Sequence, residues 1–218
     1  MKYRLYMFDF DGTLANTLPG AVAAYRKLEK KYHLPAFSDE QAKTIIGPPT
    51  TLAVKMVYPD VDDNFAIELS RNFDAFYNDT CVETFLYDGI LDIIKTIRAH
   101  GGIVAVDTAK YKDQTYKLLE QLGVMPYLDC VSAWTYENNT KQLLMKNVLT
   151  ETGCRPEETI AIGDSIFDAE AATKVGVDLL AVTYGYGFLT REAAEKVNPA
   201  AIAENIAELQ QIITGYLQ

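Results

Sequence analysis

The sequence predicts an α/β protein whose parallel sheet is interrupted, after its first strand, by a small all-helical insertion. Three observations carry that prediction. Leu5, Tyr6, Met7 and Phe8 run without a polar break, as in a strand buried on both faces. From Asp88 onward helical and strand patterns alternate, which argues for βαβ units. Between them, residues 15–82 show helix signals and no convincing buried strand.

The elements follow in order. Pro19 stands near a helix start, and Leu18, Val22, Tyr25, Leu28 and Tyr32 share one face of that helix. Ser38 with Gln41 forms a capping box ahead of Ile45 and Ile46. Gly47-Pro48-Pro49 then breaks the chain. Phe65, Leu69, Phe73, Phe76 and Tyr77 make a second apolar face, read as packing within the insertion. Asp88 can cap a helix carrying Ile90, Leu91, Ile94 and Ile97, which Gly101 ends. Strands are expected near 102–107, 129–133, 159–163 and 178–183. A closing helix is expected from Ala200 to Tyr216, with Ile202, Ile206, Leu209 and Ile213 on its apolar face. The expected division is a core of 1–14 and 83–218 with an insertion of 15–82.

Composition narrows the function classes. A length of 218 residues suits one domain or a core with an insertion, and 49% hydrophobic residues suffice for a sizeable core. A net charge of −10 argues against a nucleic-acid partner, because phosphate backbones are held by basic surfaces. No apolar stretch is long enough for a membrane span, and Asp9 and Asp11 interrupt any signal-peptide pattern. Cys81, Cys130 and Cys154 are odd in number and far apart, which reads as reduced thiols in a cytoplasmic protein. No Cys-x5-Arg loop and no Gly-x-Ser-x-Gly occurs, which disfavours cysteine phosphatases and serine hydrolases.

Four motifs carry the chemistry. The first strand ends in Asp9-Phe10-Asp11-Gly12-Thr13. Two carboxylates at a buried strand end repel each other and lose hydration, a penalty that a divalent cation removes. A solvated turn is the plain alternative. The second motif is Ile103 to Lys110, an apolar run that delivers Thr108 to a strand end, where α/β sheets bind ligands. Its Thr hydroxyl and adjacent N–H groups suit phosphate oxygens, and equally suit the cap of a following helix. The third is Lys141, which opens a helix after Glu137-Asn138-Asn139-Thr140, with Leu143, Leu144, Val148 and Leu149 as its apolar face. A lysine in a first turn opposes the helix dipole and so hints at an anion, although such lysines are usually just solvated. The fourth is Gly163-Asp164-Ser165-Ile166-Phe167-Asp168, where both acids fit the start of a helix and capping by Asp164 and Ser165 is the alternative.

In this order the motifs resemble the haloacid dehalogenase superfamily of phosphohydrolases, over Tyr3 to about Gly187. Ile46-Gly47-Pro48-Pro49 and Val182-Thr183-Tyr184-Gly185-Tyr186-Gly187 look like its phosphoglycolate phosphatase and 5′-nucleotidase-like branch. The resemblance implies a Rossmann-like core with a helical cap that closes over the cleft. It implies Asp9 as nucleophile, Asp11 as acid and base, and Thr108 and Lys141 as holders of the transferring group. Gly12, Thr13, Thr108, Ala109 and Lys141 would bind substrate. Asp9, Asp11 (through its carbonyl), Asp164 and Asp168 would hold Mg2+. The implied partner is a small phosphorylated metabolite. A phosphonatase or phosphomutase on the same scaffold, or a non-catalytic binding protein, are the rival readings. Asp11 argues against a dehalogenase, whose leaving halide needs no proton. Asp107 departs from the family's usual small or apolar residue, and could repel phosphate or pair with Lys110.

Overall fold

The computed structural model describes residues 1–38, 41–42, 46–48, 50–135, 137 and 140–218. Ile45 and Pro49 of the expected insertion elements, and Asn138 and Asn139 of the loop before Lys141, lie outside the described residues. The chain divides into two compact units, Met1–Ala15 with Leu86–Gln218, and Asn16–Phe85. Two-residue strands, Ala15–Asn16 and Phe85–Leu86, mark where the chain passes from one to the other.

The larger unit is a six-stranded sheet. Its strands are β1 (Leu5–Phe8), β2 (Ile103–Tyr111), β3 (Cys130–Trp134), β4 (Thr159–Gly163), β5 (Asp178–Val182) and β6 (Ala201–Ala203). They lie in the order β3-β2-β1-β4-β5-β6, and every pair is parallel. The fold is therefore the α/β architecture that alternating strand and helix signals predict. β1 is central and all four of its residues are buried, which is why it reads as an unbroken apolar run.

Register brings the strand ends level. Phe8 of β1 lies opposite Val106 of β2 and Ile162 of β4. The next residues, Asp9, Asp107 and Gly163, therefore share one edge. Strand alternation also puts them on one face. Leu5, Met7, Ala105 and Ala161 pack on that face in one cluster with Met145 and Val148 of one helix and Ala169, Ala171 and Ala172 of another. These helices are α6 (Lys141–Thr152) and α7 (Ile166–Val175), which follow α4 (Ile90–Ala99) and α5 (Lys112–Gln121).

Four expectations are corrected. α4 is capped by Gly89 at φ +92°, not by Asp88, which is exposed and one residue too early. The closing segment is not one helix. Residues 201–203 form β6 against β5, and α9 (Ile206–Leu217) begins after Asn205, whose side chain accepts from the Glu208 amide at 3.0 Å. The polar cap resets the chain, and Ile202 belongs to a strand. β2 runs on past residue 107 to Tyr111, with its pairing to β3 irregular between Thr108 and Tyr111. On α6, Leu143 is exposed, and Leu144, Met145 and Val148 carry the packed face.

The smaller unit contains α1 (Leu18–Tyr32), α2 (Thr50–Val57) and α3 (Asp63–Thr80). Tyr25 and Leu28 of α1, Ala53 and Val54 of α2, and Leu69 and Tyr77 of α3 are buried. Tyr25 and Phe73 meet in a tilted pair with ring centroids 4.8 Å apart, and Phe73 and Tyr77 stack at 5.6 Å. The expected capping box is present: the Ser38 amide donates to Gln41 Oε1 at 2.9 Å, and the Gln41 amide to Ser38 Oγ at 3.2 Å. The short helix α8 (Arg191–Glu195) of the larger unit completes the elements used here. Among the described residues no helix is long and apolar enough to cross a membrane.

Candidate active site

The edge shared by β1, β2 and β4 gathers charge. Asp9 continues β1 by one residue, its amide held by the Ile162 carbonyl at 2.8 Å. α6 starts above the same edge because Thr140 caps it, accepting from the Leu143 amide at 3.2 Å. Lys141 is thereby the first helical residue and its side chain drops onto the edge. Its Nζ lies 2.6 Å from Asp9 Oδ1, 2.9 Å from Asp168 Oδ1 and 2.8 Å from the Asp107 carbonyl oxygen. The Asp107 carboxylate stands 3.4 Å away. The lysine that spacing alone would leave in solvent is buried among three aspartates.

The fourth motif holds its two acids in different ways, and the alternative of capping by Asp164 does not hold. Ser165, not Asp164, caps α7. The Ser165 amide and hydroxyl donate to Asp168 Oδ2 at 3.0 and 2.6 Å, while the Asp168 amide reaches back to Ser165 Oγ. Capping thus accounts for Asp168 Oδ2 and leaves Oδ1 to Lys141. Asp164 Oδ2 accepts from the amides of Tyr186 at 2.6 Å and Gly187 at 3.1 Å, so the loop after β5 fixes it. Glycines make room for both acids. A Cβ on Gly163 would collide with the Asp168 side chain, and one on Gly12 or Gly185 with the Asp164 carboxylate.

The remaining expected residues surround this edge. Asp11 Oδ1 is 3.1 Å from Lys110 Nζ, with both side chains largely buried. Of the two alternatives for Asp107, repelling phosphate or pairing with Lys110, the pairing is not made. Asp107 faces Lys141 instead, because residues 107 and 110 sit on opposite sides of the alternating strand. Thr108 is buried and its Oγ1 accepts from the Lys110 amide at 3.1 Å, while Ala109 is exposed. Gly12 turns the chain at φ +78°, and Thr13 is fully buried. The Tyr184 hydroxyl donates to the Thr13 carbonyl at 2.9 Å, tying the first motif to the loop after β5.

Burial and mutual repulsion dominate the electrostatics. Burial pushes the Asp9 carboxyl well above the usual range; Lys141 opposes this, and Asp168, Asp164 and Asp11 add to it. Asp107 and Asp164 are each pushed up to about 7, burial being the main cause. Burial works against the Lys141 charge, but Asp107, Asp168 and Asp9 outweigh it and hold the ammonium form well above an ordinary lysine. Lys141 and Lys110 together do not neutralise Asp9, Asp11, Asp107, Asp164 and Asp168, so the edge is short of positive charge.

A family model described as "Haloacid dehalogenase-like hydrolase" matches residues 6–182, most of the chain. The chain belongs to that family of hydrolases. The hydrolase is 25% identical over 215 residues to the pyrophosphatase PpaX of Halalkalibacterium halodurans, covering 98% of each chain. It is 28% identical over 228 residues to the phosphoglycolate phosphatase of Escherichia coli, covering 93% of this chain and 89% of that one. Its fold is shared with a haloacid dehalogenase-like family hydrolase from Streptococcus pneumoniae, at a TM-score of 0.90, 22% identity and coverage of 100% and 99%. A protein from Clostridium acetobutylicum described as a predicted phosphatase superposes at 0.89, also with 22% identity, covering 99% of the hydrolase and 100% of that chain.

The donor set of this hydrolase fits a hard divalent cation. Asp9, Asp164 and Asp168 are all buried and each offers an oxygen within 4.8 Å of the others. Magnesium takes such oxygens at about 2.1 Å, which places neighbouring ligands about 3.0 Å and opposite ones about 4.2 Å apart, so these three acids need only draw inward to share one ion. The positive charge it brings is the charge the edge lacks. Two residues of the cluster lie outside the expected set, Lys110 and Asp107. Parity was the available signal for both: Lys110 follows Thr108 by two along one strand, and Asp107 follows Ala105 by two.

Proposed function

We propose that this hydrolase is a magnesium-dependent phosphatase that cleaves a small phosphorylated metabolite through an aspartyl-phosphate on Asp9. The observation that carries the reading is the Lys141 ammonium, 2.6 Å from Asp9 at a strand end that also presents Asp164 and Asp168. Relatives named pyrophosphatase and phosphoglycolate phosphatase support it.

In the first step an Asp9 oxygen attacks phosphorus while the bond to the leaving oxygen breaks, and Asp11 gives that oxygen its proton. In the second step water attacks the phosphorus of the acyl phosphate. Asp11 takes the proton, phosphate leaves, and the Asp9 carboxylate is restored. Lys141 holds the phosphoryl charge close to Asp9 in both steps, and Thr108 with the amides after it supplies donors to the phosphoryl oxygens. Asp9, Asp164, Asp168 and the Asp11 carbonyl would hold Mg2+, which supplies further charge stabilisation when bound.

The test is phosphate release from a panel of small phosphomonoesters and pyrophosphate, with and without magnesium. Release should need the metal and vanish in Asp9→Asn. Asp164→Ala should shift the magnesium titration to higher concentration. Appreciable turnover by clean Asp9→Asn protein overturns the nucleophile, and an unchanged titration removes Asp164 from the metal site.

A further inference from the structure

Asp107 does nothing in the steps above, yet it is the most enclosed carboxylate of the edge. Its side chain is 1% exposed and sits one strand over from Asp9, on the same face. An ammonium group has three hydrogens. Those of Lys141 face three oxygens at 2.6, 2.8 and 2.9 Å, on Asp9, on the Asp107 backbone and on Asp168. None remains for the Asp107 carboxylate. Its Oδ2 stands 3.4 Å from Nζ and has no hydrogen-bond partner among the described residues. A buried carboxylate oxygen without a donor costs a fold stability, and a Val would fill the space without that cost. The backbone carbonyl of residue 107 already anchors Lys141, so positioning does not require the carboxylate either. What the carboxylate alone adds is negative charge beside the lysine that faces the nucleophile.

We propose that Asp107 is a countercharge residue: its carboxylate offsets part of the Lys141 charge, weakens the site's hold on phosphate and thereby speeds product release. This rests on the reading of the edge as a phosphoryl site. The charge raises kcat at the expense of ground-state affinity, because inorganic phosphate is the last ligand to leave.

The experiment measures inorganic phosphate binding by calorimetry in the magnesium-loaded protein, for wild type, Asp107→Asn and Asp107→Val, beside kcat, KM and thermal midpoints. Both variants keep the backbone anchor and remove the charge. Phosphate should bind about a hundredfold tighter in both, the size expected for a unit charge about 6 Å away in an effective dielectric of about 20. KM should fall with kcat, and neither midpoint should drop. Unchanged or weaker phosphate binding in both variants overturns the proposal. So does failure of both to fold, since the carboxylate would then be serving the structure. If wild type cleaves no ester, the phosphatase reading fails on its own, while phosphate binding, which needs no turnover, still judges Asp107.

Discussion

Gly163→Ala adds one methyl group to the last residue of β4, and the structure sets what that methyl does. It would collide with the Asp168 side chain, contacting its Cβ and carboxylate closer than any real Cβ does. Ordinary contact requires Asp168 to retreat by about 1 Å. That carboxylate holds Ser165 N at 3.0 Å, Ser165 Oγ at 2.6 Å and Lys141 Nζ at 2.9 Å, and the retreat stretches these contacts. Overpacking costs about 1–3 kcal/mol and a weakened cap about 1 kcal/mol more. For a chain of this length, 2–4 kcal/mol lowers the melting temperature by about 5–15 °C. Displacing Asp168 and Lys141 by that much should also cut phosphate release by about a hundredfold. Thermal melts by circular dichroism and the release assay measure both effects. Gly215→Ala is the control: that site lies in α9 with nothing within 4 Å of the added carbon, and the same substitution should stabilise there by about 0.5–1 kcal/mol. A Gly163→Ala protein that melts within 2 °C of wild type (roughly the scale of a 1 kcal/mol change) and keeps its rate refutes the steric argument.

Lys141→Met should leave Asp9, Asp107 and Asp168 buried without their ammonium, at a cost of about 3–5 kcal/mol and a melting-temperature loss of about 6–20 °C in metal-free protein. A much smaller loss in a calorimetric scan would mean that the cage contributes little. Burial, with Glu151 beside it, pushes the Cys130 thiol up to about 12 from 9.0, so the thiolate that reacts with iodoacetamide is scarce at pH 8. Peptide mass mapping should find Cys130 unmodified in native protein and modified after unfolding; rapid native labelling contradicts this. The same burial favours the neutral thiol in the fold, so its contribution is intact below the unfolded value of 9.0 and is lost as pH rises from about 9 to about 12. Alkaline unfolding curves should therefore fall across that window.

Much of this molecule was legible locally. A strand buried on both faces has to be apolar throughout, so β4 could be bounded to within a residue and β1 to within two, and the Ser38–Gln41 box was readable because a cap uses residues three apart. Errors arose where a tertiary partner outweighed a local pattern. Ala201–Ala203 carries an apolar residue at helical spacing from Ile206, but β5 offers an unpaired edge, and pairing there wins. Asp164 looks like a helix cap until the loop at Tyr186 and Gly187, more than twenty residues later, donates two amides to it.

The sequence by itself determined the order of strands and helices as far as β5, the carboxylates at the ends of β1 and β4, and the family to which those motifs belong. Each depends on residues close together along the chain, where alternation, capping and turn chemistry act. Only the tertiary structure decided which charges meet. Asp9 and Lys141 are 132 positions apart, and nothing local marks that lysine as different from a solvated one. Parallel pairing of β1 with β2 and β4, and the packing of α6 across their ends, put the ammonium among Asp9, Asp107 and Asp168. Register and helix packing are sums over many distant contacts, and the sites they create carry no signature in any short stretch of sequence.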